Sequence, residues 1–121
     1  MSWQFAADRP IYSQLVERLS VFIINGQFPA GSRLPSVRDL AAEAKVNPNT
    51  MQRALAELEN IGLVYAERTS GRFVTEDTDL IQATKQRLAK QLVAQFFTEM
   101  ENLGMDWRQA LDMVAAEKEQ K

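Results

Sequence analysis

The sequence KVNPNTMQRALAELENIG spans residues 45–62 and places a proline, Pro48, near the front of an apolar pattern. From Met51 onward, its apolar residues recur at the spacing of an amphipathic helix. Asn47 is a suitable N-cap, and Pro48 falls at the first helical position, where its missing N–H removes no hydrogen bond. The proline therefore begins this helix instead of breaking it. The apolar positions are Met51, Ala54, Leu55, Leu58 and Ile61.

The opposite face of this helix is polar, and its front carries no acid. Four residues share the face because they occur at i, i+3, i+4 and i+7. They are Asn49, Gln52, Arg53 and Ala56. Asparagine and glutamine can pair bidentately with adenine in the major groove of DNA, and arginine can pair with guanine. This face is therefore a candidate base-reading surface. The alternative is a good helix start followed by an ordinary solvated surface.

Upstream, the sequence predicts two helices. The first begins around Pro10 and ends at Asn25 and Gly26, and residues 27–36 then form a loop or a short extended segment with two prolines. Ser36 is a suitable N-cap for a short second helix. A tight turn connects that helix to the stretch quoted above, in the arrangement of a helix-turn-helix. The predicted core residues are Ile11, Leu15, Leu19, Leu40, Leu55 and Leu58.

Downstream, the pattern changes to strand, turn and strand over residues 63–75. A long helix then begins at Thr78, Gly104 ends it, and Asp106 caps a final short helix. The predicted fold is mainly α with a small β-hairpin: a winged helix-turn-helix over residues 1–76, followed by a two-helix dimerisation tail over residues 77–121.

The composition argues against several classes of function. The chain of 121 residues has no cysteine and no histidine, which removes disulfides, thiolate metal sites and the commonest general base. We therefore predict no enzyme activity, no metal and no cofactor. No apolar run approaches the roughly 20 residues of a membrane span. The N-terminus does not resemble a secretory signal, so a cytoplasmic location without membrane contact is predicted.

The charge is unevenly distributed along the chain. The net charge is −2, but residues 1–76 balance eight Lys and Arg against eight Asp and Glu. The remaining six basic and eight acidic residues lie beyond them, so the acidic excess belongs to the tail. A local basic face in the first part is compatible with this distribution.

Three motifs resemble the DNA-binding domain of the GntR family of bacterial transcription regulators. They are IYSQL at residues 11–15, LPSVRDLA at residues 34–41 and VNPNTMQRALAELENIGLV at residues 46–64. The resemblance covers residues 10–74, and the short helical tail resembles that of the YtrA subfamily. It implies a homodimer that binds a palindromic operator in double-stranded DNA, and YtrA members often regulate transporter operons. It does not indicate whether a small-molecule effector exists.

The resemblance, together with the polar face, predicts which residues contact DNA. Arg38 has an alternative role as an ion-pair partner of Asp39 or Glu43, and the wing tip has the alternative of a solvated hairpin. The sequence departs from the family pattern at Lys45, where glycine is common, and in the wing, which keeps only Gly71. The predicted DNA-binding residues are Arg33, Ser36, Arg38, Lys45, Asn47, Asn49, Thr50, Gln52, Arg53, Arg68, Ser70, Gly71 and Arg72.

The tail carries a long apolar stripe that we predict to form a dimer interface, because the first part already has a core of its own. An intramolecular core and a ligand pocket lined by the aromatic residues are the alternatives. The predicted dimerisation residues are Ile81, Leu88, Leu92, Phe96, Phe97, Met100, Leu103, Trp107 and Leu111. The sequence therefore favours a dimeric transcription regulator, more readily a repressor than an activator. The alternative is a winged-helix protein–protein adaptor that does not bind DNA.

Overall fold

The computed structural model describes residues 2–120, and the element order within this range confirms the predicted fold class. Two compact units divide inside α4, between Lys85 and Gln86, which is later in the chain than the predicted boundary. The elements are α1 (Ile11–Ile24), α2 (Val37–Ala44), α3 (Pro48–Asn60), β1 (Val64–Glu67), β2 (Gly71–Val74), α4 (Thr78–Asn102) and α5 (Trp107–Glu119).

The core of the first unit forms where α3 packs against α1 and α2. The residues that α3 contributes are Met51, Ala54, Leu55 and Leu58, and all four are buried. A fully buried Leu or Met side chain stabilises a fold by about 1.5–3 kcal/mol, so this stripe determines which face of α3 points outward. Ile11 of the predicted core and Ile61 of the predicted apolar stripe of α3 are instead exposed. Ile11 is the first residue of α1 and Ile61 is the C-cap of α3, so both lie at helix ends, away from the packed centre.

Side-chain caps fix the starts of α2 and α3, as predicted. The Asn47 Oδ1 atom accepts a hydrogen bond of 2.8 Å from the Asn49 N–H, and Pro48 is the first helical residue. The Ser36 Oγ atom accepts a hydrogen bond of 3.1 Å from the Asp39 N–H. Each cap satisfies an N–H group that has no partner within its helix.

The wing is attached to the segment that precedes α2. Strands β1 and β2 pair antiparallel, with Val64 opposite Val74. On the other edge of β2, the Leu34 N–H donates to the Arg72 carbonyl at 2.8 Å, and the Val74 N–H donates to the Ser32 carbonyl at 2.8 Å. The predicted loop or short extended segment thus forms an isolated antiparallel bridge with β2, between Arg33 and Phe73, and it couples the position of the wing to the start of α2.

Gln14, the glutamine of the IYSQL motif, holds the N-terminal segment against α1. Its side chain is buried, and its Oε1 atom accepts from the Ala6 N–H at 2.6 Å. Its Nε2 atom donates to the carbonyl oxygens of Ala6 and Arg9, at 2.8 and 2.9 Å. The amide is thus satisfied inside the protein, as a buried polar group requires.

The tail helices begin and end where the sequence predicts. α4 ends before Gly104, which has a φ of 86°, and α5 begins with a reciprocal capping box between Asp106 and Gln109. The prediction for Ile81 is wrong, because this residue is buried in the core of the first unit. Ile81 lies in the first turn of α4 and packs into that core, so its side chain is unavailable to a dimer interface.

Lys45 ends α2 in the left-handed conformation, with φ 59° and ψ 47°. Among residues 2–120 it is the one non-glycine residue with positive φ. A side chain in this conformation costs roughly 1–2 kcal/mol, because Cβ approaches the following carbonyl oxygen. The lysine at the usual glycine position is therefore accommodated with strain.

Replacing Lys45 with glycine should raise the free energy of unfolding by about 1 kcal/mol, because glycine adopts this conformation without the Cβ clash. Urea denaturation measures the change. Lys45→Ala is the matched control, since it removes the same charge but keeps Cβ, and it should give no such gain. Equal stabilities for the two variants would contradict the strain at this position.

Candidate DNA-binding interface

The predicted base-reading face of α3 points into solvent. The side chains at its four positions are all exposed, while the buried stripe on the other side fixes this orientation. They are Asn49, Gln52, Arg53 and Ala56. An N-terminal helical turn with free N–H groups and uncharged amides is a surface that can enter a major groove.

The acids of α3 lie at the flanks of this face and bond to neighbouring elements. On one flank, the Glu57 Oε2 atom lies 3.4 Å from the Tyr12 hydroxyl of α1, and the Arg53 guanidinium carbon lies 4.6 Å from the centre of the Tyr12 ring. On the other flank, the Arg72 Nε atom of the wing donates to the Glu59 Oε1 atom at 2.6 Å. Glu57 and Glu59 therefore connect α3 to α1 and to the wing, and the charge of Glu59 is paired with that of Arg72.

Four predicted DNA-binding residues line one cleft of about 540 Å³ between the start of α2 and the wing. They are Arg33, Ser36, Gly71 and Arg72. Gly71 has a φ of 100°, and a Cβ built on it would lie 3.2 Å from the Arg33 Nε atom. The backbone conformation therefore favours glycine, and a Cβ here would also require the Arg33 side chain to shift by a few tenths of an ångström. Asp39 shares the cleft and offsets part of its positive charge.

The remaining predicted DNA-binding residues differ in their accessibility. Arg38 is exposed and forms no ion pair with Asp39 or Glu43, so its guanidinium is available to a ligand. Thr50 and Ser70 are half-buried. The other exposed members are Lys45, Asn47 and Arg68.

Two features of the interface are absent from the sequence-based account. Tyr12 is not among the predicted DNA-binding residues, yet it contacts both Arg53 and Glu57. Arg72 is predicted as a DNA contact, yet its Nε atom is engaged by Glu59. No periodic signal in the sequence reveals either contact, because each pairs elements whose proximity depends on the packed fold.

Within residues 2–120, no cluster of acidic, His or Cys side chains has a geometry that could hold a metal ion. No helix in this range is long and apolar enough to cross a membrane.

Residues 11–74 match the family described as "Bacterial regulatory proteins, gntR family". The chain belongs to the GntR family. This match covers the helix-turn-helix and the wing, which are the elements that carry the outward face of α3 and the cleft. The protein is therefore a DNA-binding transcriptional regulator of the GntR family, and similar proteins are named as transcriptional regulators.

Two similar proteins indicate the subfamily to which this chain is related, and a third was solved with DNA. It is 33% identical over 88 residues to the HTH-type transcriptional repressor YtrA of Bacillus subtilis, covering 71% of this chain and 68% of YtrA. A GntR family transcriptional regulator from Listeria monocytogenes is 39% identical with a TM-score of 0.83, covering 93% of this chain and 98% of that one. The likeness to YtrA supports the predicted subfamily.

The third is the DNA-binding domain of AraR, solved in complex with operator ORX1. It is 25% identical with a TM-score of 0.56, covering 62% of this chain and 96% of that one. The part of the GntR fold found in this operator complex is shared with the present chain.

The ion pair between Glu59 and Arg72 should stabilise the fold by about 1 kcal/mol, because both side chains are largely shielded from water, at 32% and 20% exposed. A double-mutant cycle with Glu59→Gln and Arg72→Gln, followed by urea denaturation, measures the coupling. The matched control is the cycle on Arg9 and Glu17, a longer pair of 3.4 Å with both side chains about half exposed. Its coupling should stay below about 0.5 kcal/mol. If the coupling free energy between Glu59 and Arg72 is no larger than that of this control pair, the ion pair does not stabilise the fold.

Proposed function

We propose that this protein is a homodimeric repressor that binds a palindromic operator, with one α3 helix in the major groove of each half-site. The observation that carries the proposal is the outward face of α3. Asn49, Gln52 and Arg53 are exposed together at its N-terminal half, while Glu57 and Glu59 are engaged at its flanks. This face offers amide and guanidinium groups to base edges, and the charge of Glu59 at its flank is paired with Arg72.

Contacts with the DNA backbone would come from the elements on either side of α3. Arg33 and Ser36 lie in the cleft at the wing, and Arg38 is exposed in the first turn of α2. In helix-turn-helix proteins the helix before the recognition helix crosses the backbone, where such groups bind phosphates. Arg68 at the exposed wing tip can reach the neighbouring minor groove.

The exposed apolar residues of the second unit support a homodimer. Leu92, Leu103 and Trp107 are 64%, 76% and 58% exposed, and Leu111 is also exposed. An isolated chain rarely leaves this much apolar surface in water, and a second copy would cover it. A two-fold dimer also supplies two recognition helices for half-sites about 34 Å apart, or a multiple of that distance. Leu88, Phe96, Phe97 and Met100 are half-buried and complete the proposed interface.

Repression would follow from occupancy, because a dimer seated on a promoter excludes polymerase from the same DNA. The name of the B. subtilis relative YtrA includes the word repressor, which favours this sign of regulation. The resemblance to the YtrA subfamily extends the proposal to a transporter operon as the regulated target. The site of action would be the cytoplasm, where the operator lies.

Replacing Asn49 or Gln52 with alanine should weaken operator binding by about 1–3 kcal/mol each and relax the preference for particular base pairs. The measurement is fluorescence anisotropy with a duplex that the wild-type protein selects from a randomised pool. Gln82→Ala is the matched control, because Gln82 is an exposed amide residue on a helix, α4, outside the proposed DNA-binding face. It should bind nearly as tightly as the wild type. Wild-type affinity in both test variants would contradict the proposed base-reading face, and a wild-type protein that selects no duplex would favour the adaptor.

Replacing Leu92 with glutamate should weaken the dimer at least about tenfold, because a carboxylate would be buried against the second copy. Analytical ultracentrifugation measures the monomer–dimer equilibrium. Gln91→Glu introduces the same charge at an exposed polar position of α4 and should leave the equilibrium unchanged. If Leu92→Glu dimerises like the wild type, the interface lies elsewhere.

A further inference from the structure

Tyr12 of α1 contacts two residues of α3 that carry opposite charges. Its ring lies 4.6 Å from the guanidinium carbon of Arg53, and its hydroxyl lies 3.4 Å from the Glu57 Oε2 atom. Arg53 and Glu57 are four residues apart, and oppositely charged side chains at this spacing on a helix attract each other. A direct pair between them is the arrangement that the sequence of α3 alone would favour.

That direct pair does not form. The ion pairs among residues 2–120 involve Arg9 with Glu17 and Arg72 with Glu59, and neither includes Arg53. The Glu57 carboxylate instead accepts from the Tyr12 hydroxyl through one oxygen, and from the Asn60 side-chain amide through the other at 3.1 Å. Each oxygen of Glu57 therefore accepts a hydrogen bond from a residue other than Arg53.

Contact with the ring of Tyr12 restricts Arg53 without using its hydrogen-bond donors. The five N–H donors of a guanidinium lie in its plane and point outward from its edges. A cation–π contact is made through the π-face of the aromatic ring and requires none of these donors. Tyr12 is itself half-buried and packed against the core, so it provides a fixed platform. An arginine held in this way loses less side-chain freedom when it binds a ligand.

We propose that Tyr12 is a positioning residue for DNA binding, which separates Arg53 from Glu57 and holds the Arg53 guanidinium ready to donate to the operator. The inference rests on the proposed function, and it deepens that function by assigning a specificity role to a residue of α1 outside the helix-turn-helix. Tyr12 acts through Arg53 and needs no contact of its own with the DNA.

The proposal is tested with the same selected duplex and anisotropy measurement. Arg53→Ala should weaken binding about tenfold, as expected for loss of one arginine contact. Tyr12→Leu should weaken it by roughly three- to tenfold, and it should have almost no further effect in the Arg53→Ala background. Losses that simply multiply in the double variant would show that Tyr12 acts independently of Arg53, and would overturn the proposal.

A rescue experiment separates positioning from general packing. Tyr12→Phe keeps the ring but releases Glu57 to pair with Arg53, so binding should weaken about threefold. Adding Glu57→Gln to Tyr12→Phe removes the competing carboxylate and should restore binding. Thermal unfolding accompanies each variant, because a purely structural role would lower stability without such a rescue. Unchanged binding by Tyr12→Phe, or a loss that Glu57→Gln fails to reverse, would contradict the proposed mechanism.

The outcomes also separate this inference from the proposed function. If the wild-type protein selects a duplex and Tyr12→Leu binds it equally well, the positioning role is wrong while the regulator stands. If the wild-type protein selects no duplex at all, the operator-binding function fails and the positioning role fails with it.

Discussion

The packing of α3 against α1 and α2 determines which residues of α3 face water. Four apolar residues of α3 are buried in this contact, and burying them leaves only one face of the helix in water. Asn47 and Pro48 fix where the helix begins, and therefore which residues occupy that face at its front. The side-chain amides and the guanidinium of α3 are exposed because the apolar stripe is buried and because the helix begins at Pro48.

The flanks of α3 explain why its acids come late in the helix. Glu57 and Glu59 are separated by two positions, so they point to opposite sides of the outward face. One accepts from the Tyr12 hydroxyl of α1 and the other pairs with Arg72 of the wing. The same carboxylates that would repel DNA in the centre of the face instead connect the helix to its neighbours. Besides the contact between Arg72 and Glu59, backbone hydrogen bonds to residues 32–34 also fix the position of the wing.

Much of the fold is predictable from local signals, because caps and periodicity are properties of short segments. Pro10, Asn47 and Asp106 start helices where the sequence indicates, and Gly104 separates the last two. The candidate site is less predictable, because its geometry depends on contacts between distant segments. Examples are the contact of Arg53 with the Tyr12 ring and the ion pair of Arg72 with Glu59. Ile81 is a further example. The periodicity of α4 does not show which of its apolar residues pack into the core of the first unit and which remain exposed.

If the outward face of α3 enters the major groove at two half-sites, methylation interference on the selected duplex will detect it. Dimethyl sulfate methylates guanine N7 in the major groove and adenine N3 in the minor groove, so it reports which groove the protein needs. We expect guanine methylation to block binding at two symmetric positions, one helical turn or a multiple of it apart. Interference confined to adenine N3, or to a single position, would contradict it.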